Sequence, residues 1–153
     1  MPPPCPPFTE ETARQKVKTA QHAWNGQDPD KVVLAYTEDT IWRNRDEFLH
    51  GREEIREFLK RKWSKETHYR LRKELFAFTS NKIAVQFWYE YWNDSLSTWR
   101  RCYGLEDWTF ADDGRMRKRM MSGNEISIQE GERWFTGAGE EEWDRVEISE
   151  RHW

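Results

Sequence analysis

The chain has 153 residues, enough for one domain whose core hides roughly two-thirds of the surface that the unfolded form exposes. A net charge of −3 and a pI near 5.9 remove any global electrostatic reason to expect nucleic acid or an anionic membrane as partner. Apolar runs never approach the ~18 residues of a membrane span, and no charged-then-apolar leader opens the chain, so the expectation is a cytoplasmic protein that neither spans a membrane nor is secreted. Hydrophobic residues make up only 36% and charged residues 35%, yet ten tryptophans, eight phenylalanines and five tyrosines are present. The apolar material is therefore aromatic, suited to a core or to the walls of a ligand cavity.

Residues 1–8, "MPPPCPPF", contain five prolines, which lack amide donors, and read as an extended arm. Thr9 is placed to cap a helix running to Asn25, with Glu10 and Glu11 favouring its dipole, Phe8 stapling against Ala13, and Gly26 just past its end. Its apolar stripe is Ala13, Val17, Ala20 and Trp24, which leaves His22 on the solvated face. Asp28 and Pro29 then start a second short helix in "DPDKVVLAYTED". "TIWRN" follows as a strand, and a third helix spans 52–65 with Ile55, Phe58, Leu59 and Trp63 buried. After Glu66 the period becomes two. Four strand-like runs, "HYRLRKELFAFT", "KIAVQFWYEYW", "STWRRCYGLEDWTFA" and "RMRKRMMSGNEISI", are separated by short turns, which permits an antiparallel meander. Helices first and a sheet afterwards is an α+β arrangement. Residues 9–130 form the single domain, and 131–153 read as a loosely ordered acidic tail with Trp134 and Phe135 as docking points.

Metal chemistry lacks a pattern here: His22, His50, His68 and His152 are scattered, with no i, i+4 pair and no CxxC, so no metal site is expected. A phosphate loop and a serine nucleophile elbow are missing as well, and no cofactor is expected. Cys5 and Cys102 suit reduced thiols. The basic run Arg115 to Met121 divides between two strand faces, which dilutes it as a nucleic-acid site. In "GLEDWTF", alternation sets Glu106 with Trp108 and Phe110. A carboxyl among aromatic rings must be paired, hydrogen-bonded or held protonated. Glu90, flanked in register by Trp88 and Trp92, raises the same question, and the two carboxyls facing one cavity would make an acid/base pair.

The phrases "DPDKVVLAYTEDTIWRNR", "GREEIREFLKRKW" and "GLEDWTFADDGRMRKRMMSGNE" resemble the nuclear-transport-factor-2-like superfamily over residues 8–130. This is the cone-shaped α+β fold of ketosteroid isomerases, limonene-epoxide hydrolases and SnoaL-type polyketide cyclases. More closely, "KEL", "AFT" and "IAV" together with "WRNR" resemble an uncharacterised subgroup of it. The resemblance implies three N-terminal helices packed on a curved, mostly antiparallel sheet. It sets Trp42 and Asn44 where the epoxide hydrolases bring a tyrosine and an asparagine into the pocket, and sets Asn44 where ketosteroid isomerases carry their carboxylate base. Glu106 falls at the position of the isomerases' protonated acid. Glu90 and Trp88 fall where the epoxide hydrolases carry an Asp and an Arg, and their second Asp is replaced near Met121. Neither catalytic set is complete.

Two functions are therefore expected. One is a cofactor-free isomerase, cyclase or hydratase with Glu106 as acid, Glu90 as base and Asn44 positioning a carbonyl or water. In it Trp42, Phe48, Trp63, Trp88, Trp108 and Phe110 enclose a small apolar or aromatic molecule. The other is a non-catalytic binding or interaction module. The register face Phe87, Tyr89 and Tyr91 is too apolar to leave in water, which leads to the expectation of a homodimer covering it through the sheet.

Overall fold

The computed structural model describes residues 3–153; Met1 and Pro2 of the proline-rich arm lie outside the described residues. Helix α1 (Glu10–Asn25) starts at Thr9, whose side chain accepts from the Thr12 amide, and Gly26 ends it. Phe8 is buried against Phe110, with ring centroids 4.9 Å apart. Helix α2 (Pro29–Val32) is capped by Asp28 and passes through a single 3-10 turn into β1 (Tyr36–Asn44). The strand begins earlier than the sequence suggested, because Tyr36 and Thr40 are buried at strand spacing. Strand β2 (Glu47–His50) returns alongside β1, and α3 (Gly51–Lys65) buries Ile55, Phe58 and Leu59.

Four long strands complete the sheet: β3 (Glu66–Phe78), β4 (Lys82–Asn93), β5 (Thr98–Phe110) and β6 (Met116–Ile128). Their order is β2-β1-β6-β5-β4-β3, and every pairing is antiparallel except β1 with β6. Helices α1 and α3 pack on one face, here the inner face, over Leu71, Val85, Phe87, Tyr89 and Trp108. This is the α+β cone of the nuclear-transport-factor-2-like fold.

Paired residues in a sheet share a face, so the register decides which side chains meet. Glu106 pairs with Val85, while Glu90 pairs with Arg101. Each β4–β5 pair joins an odd to an even position, so Glu90 and Glu106, both even, lie on opposite faces. The expected Glu90–Glu106 pair is thereby corrected: Trp88 and Glu90 face outwards, and Phe87, Tyr89 and Tyr91 face the helices. That aromatic face is covered by α1 and α3 of the same chain, so the reason given for a second copy over it falls away.

Phe76 and Leu105 stay exposed on the outer face, but around Trp88 it is covered by the chain's own C-terminal segment, 129–153. Its short helix α4 (Glu140–Trp143) and Phe135 form a second cluster with Trp88 and Ile148. The segment has little regular structure, so its carbonyls need donors from elsewhere. Arg72 donates to Val146 O at 2.8 Å, Arg70 to Gly137 O at 3.1 Å and Trp88 Nε1 to His152 O at 3.0 Å. These contacts replace the loose tail expected from composition. Glu140 also reaches His22 (2.8 Å), which stays exposed on the solvated face of α1 as the helical spacing predicts.

Candidate functional site

The cavity opens at the end of the cone between α3 and the strand ends. Its mouth, about 210 Å³, is lined by Asn44, Arg45, Phe58, Lys62, Glu66 and Glu125, among others. Asn44, Lys62 and Tyr89 also line a narrow inner chamber of about 10 Å³, room for roughly one water. Lys73, Arg119, Trp24, Phe87 and Met121 close it.

Lys73 sits on the edge strand β3, whose free backbone groups are taken up by α1. Gln21 Oε1 accepts from the Lys73 amide at 2.8 Å, Lys18 donates to Lys73 O at 2.8 Å, and Asn25 bonds both backbone groups of Leu71. The helix thereby covers the edge and fixes the position from which Lys73 points inwards. Its ammonium pairs with Glu106 Oε1. Glu106 Oε2 accepts from Arg119 Nε at 2.6 Å and Trp108 Nε1 at 3.1 Å. The Arg119 guanidinium lies 4.4 Å from the centre of the Trp42 ring and 4.8 Å from that of Trp24. Its Nη1 donates to Asn44 Oδ1 at 3.0 Å. An arginine has only donors, so this contact fixes the amide with its NH2 group free to face the cavity.

The charges are unequal. Two cations share one carboxylate, and the three side chains are at most 3% exposed as residues. Burial pushes the Glu106 carboxyl up, but Lys73 and Arg119 together outweigh it and hold it at about 2. Burial pushes Lys73 down to about 8, with Arg119 adding to the effect and Glu106 opposing it. The Lys73 proton is the one loosely held, since its loss leaves a neutral Glu106–Arg119 pair. A Glu106 so held accepts hydrogen bonds and has no proton to donate, which removes the donor role expected for it.

At the mouth, burial raises the Glu66 carboxyl above its usual range, although Lys62 Nζ lies 3.0 Å from both its oxygens. Arg45 has a left-handed backbone (φ 58) that interrupts strand alternation. Its side chain therefore turns inwards to Glu125 at 2.9 Å and the Tyr89 hydroxyl at 3.4 Å.

Of the residues singled out in the sequence, Asn44, Trp42, Trp108 and Glu106 gather at or behind the chamber. Trp63 packs edge-on against Trp24, and Phe110 lies farther along the core beside Phe8 and Trp108. Phe48 is 77% exposed on edge strand β2 and leaves the cavity set. Glu90 and Trp88 are on the other face. Glu90 accepts from Arg101 Nε at 2.8 Å and from the amides of Trp134 and Phe135 at 2.9 and 3.0 Å, which makes it the anchor of the C-terminal segment. An arginine partner for a buried carboxylate, Arg119 for Glu106 and Arg101 for Glu90, is what the sequence allows. Lys73, Lys62 and Glu66 were missed. A lysine at an inward position of "HYRLRKELF", in phase with Tyr69 and Leu71, was the available signal for the first. Among the described residues no three His, Cys, Asp or Glu side chains gather as a metal site, and no helix is long and apolar enough to cross a membrane.

The profile of the family described as "Protein of unknown function (DUF1348)" matches residues 6–136. The chain belongs to this family. The DUF1348 match takes in every cavity residue and stops just beyond Phe135, so most of the outer cover lies past it. No curated protein matches the chain. Among solved structures it is similar to SalBIII, an epoxide hydrolase/cyclase-like enzyme of pyran ring formation in salinomycin (18% identity, TM-score 0.66, 76% of this chain and 95% of that one). It is also similar to a ketosteroid isomerase-like protein from Catenulispora acidiphila, solved with trimethylamine (13%, 0.64, 70% and 84%). A third is a candidate scytalone dehydratase from Novosphingobium aromaticivorans (9%, 0.63, 78% and 88%). At these identities the likeness is one of fold.

Proposed function

We propose that this DUF1348 chain binds a small molecule with its reactive end in the inner chamber and exchanges a proton with it without a cofactor, as an isomerase, cyclase or dehydratase does. The observation that carries the reading is the convergence of the Lys73 ammonium, Arg119 and the free Asn44 NH2 on one chamber. Those donors suit an oxygen on which negative charge develops. Lys73, lowered to about 8, is the general acid, Glu106 orients it, and Glu66, raised by burial, is the base at the mouth. Two free thiols fit a cytoplasmic setting. A homodimer through the sheet would use its uncovered end around Phe76 and Leu105.

A second reading, a binding module without chemistry, is favoured by the water-sized chamber and by the occupied oxygens of Glu106. The two are separated by native mass spectrometry of protein from its own host, followed by proton NMR of the retained molecule in D2O. Deuterium incorporation by the wild type that Lys73→Met and Glu66→Gln both abolish supports proton transfer. A retained molecule that exchanges equally with and without the protein supports the binding module.

A further inference from the structure

We propose that the ligand is a small organic acid whose carboxylate sits where the mouth meets the chamber, with one oxygen in the chamber and the other beside Asn44. This rests on reading the cavity as a small-molecule site. Every charged residue lining the chamber is a cation: Lys62, Lys73 and Arg119. The nearby carboxylates are already engaged, Glu106 by Lys73 and Arg119, Glu66 by Lys62 and Glu125 by Arg45. Lys73, Glu106 and Arg119 together carry one positive charge more than they balance, behind aromatic walls where solvent cannot screen it. A buried charge without a counter-ion is costly, so a monoanion entering the chamber is favoured by the charge it neutralises.

The hydrogen-bonding geometry selects the kind of anion. Arg119 spends Nε on Glu106 and Nη1 on Asn44, and its Nη2 has no acceptor among the described residues. The Asn44 NH2 group is likewise unspent. Two such donors on linked side chains suit the two oxygens of a planar carboxylate. Phosphate or sulfate would carry more charge than the cluster lacks. The rest of the acid would lie in the mouth, between Phe58 and Tyr89, whose volume limits it to a compact body.

The test uses benzoate and benzamide, which share a shape and differ in charge, titrated against the wild type by tryptophan fluorescence, since Trp24 lines the chamber and Trp42 stacks on Arg119. Benzoate is expected to bind saturably and at least about tenfold more tightly than benzamide. Lys73→Met, which cancels the excess charge, should erase that preference. Equal binding of the two probes would overturn the carboxylate inference and leave the cavity as a small-molecule site. Binding of neither would overturn both. Inorganic phosphate binding as tightly as benzoate would overturn the choice of a planar monoanion.

Discussion

Glu90 and Glu106 lie on neighbouring strands, both almost wholly buried and both bonded to an arginine, yet they do different work. Glu90 meets one arginine, Arg101, and spends its remaining capacity on two backbone amides of the C-terminal segment. Glu106 meets two cations and borders a cavity. The first carboxylate is matched and tethers the chain to itself; the second is outnumbered and leaves a charge for something else to answer. Burial and an arginine partner do not by themselves distinguish a structural carboxylate from one that organises a site. The charge balance and the face of the sheet do.

The largest loss of stability is expected at Glu106. Glu106→Gln strands two buried cations and should cost about 3–5 kcal/mol in denaturant unfolding. A loss below about 1 kcal/mol would mean that the cluster is far better solvated than its burial indicates. Acid acts on the same group: a carboxyl held at about 2, below its ordinary 4.5, contributes stability that is complete above pH 4.5 and fades as pH falls through 2. Thermal unfolding followed down that range should show the loss, and Glu106→Gln should flatten it.

Glu90→Gln should cost less, about 1–3 kcal/mol, because it leaves one buried cation, Arg101, without a counter-charge where Glu106→Gln leaves two, and the glutamine oxygen still accepts from a backbone amide. The amides of Trp134 and Phe135 should lose protection in hydrogen exchange while benzoate binding is unchanged. Altered benzoate binding would show that the outer cover and the chamber are coupled.

Gly104 pairs with Phe87 and lies directly under its ring. A Cβ there would fall 2.0 Å from the Phe87 ring, so Gly104→Ala should cost about 1–3 kcal/mol by overpacking the inner wall.

The smallest effect on stability is expected of Lys73→Met, which removes the surplus cation and leaves Glu106 with Arg119 and Trp108. Unfolding free energy should stay within about 1 kcal/mol of wild type or rise, while proton exchange on the ligand is lost. In the wild type the lysine proton is held less well in the folded chain than in the unfolded one. Stability is therefore expected to increase as pH rises from 8 towards 10.5.

Much of this was legible in the sequence. The Thr9 cap, the Asp28-Pro29 start and the period-two runs give the elements, and alternation in "GLEDWTF" sets Glu106 inside with Trp108. The register between β4 and β5 was not legible, because the four-residue turn Asp94–Ser97 fixes it and either parity satisfies the same aromatic strand. That ambiguity put Glu90 with Glu106 and turned Phe87, Tyr89 and Tyr91 outwards. The acidic tail misled for a related reason: its few aromatic residues count for little in composition and for much once Trp88 and three arginines face them. Phe48 reads as a wall residue, but its strand is the outermost in the sheet and nothing packs over it.

The most direct measurement is the titration of the Lys73 amine by heteronuclear NMR in protein labelled at the lysine side chains, with Lys73→Met supplying the assignment. A midpoint near 8, moving upwards when benzoate is added, is the predicted result. A midpoint at or above 10.5, unmoved by benzoate, would contradict an under-compensated cation in the chamber and the proton-transfer role assigned to it.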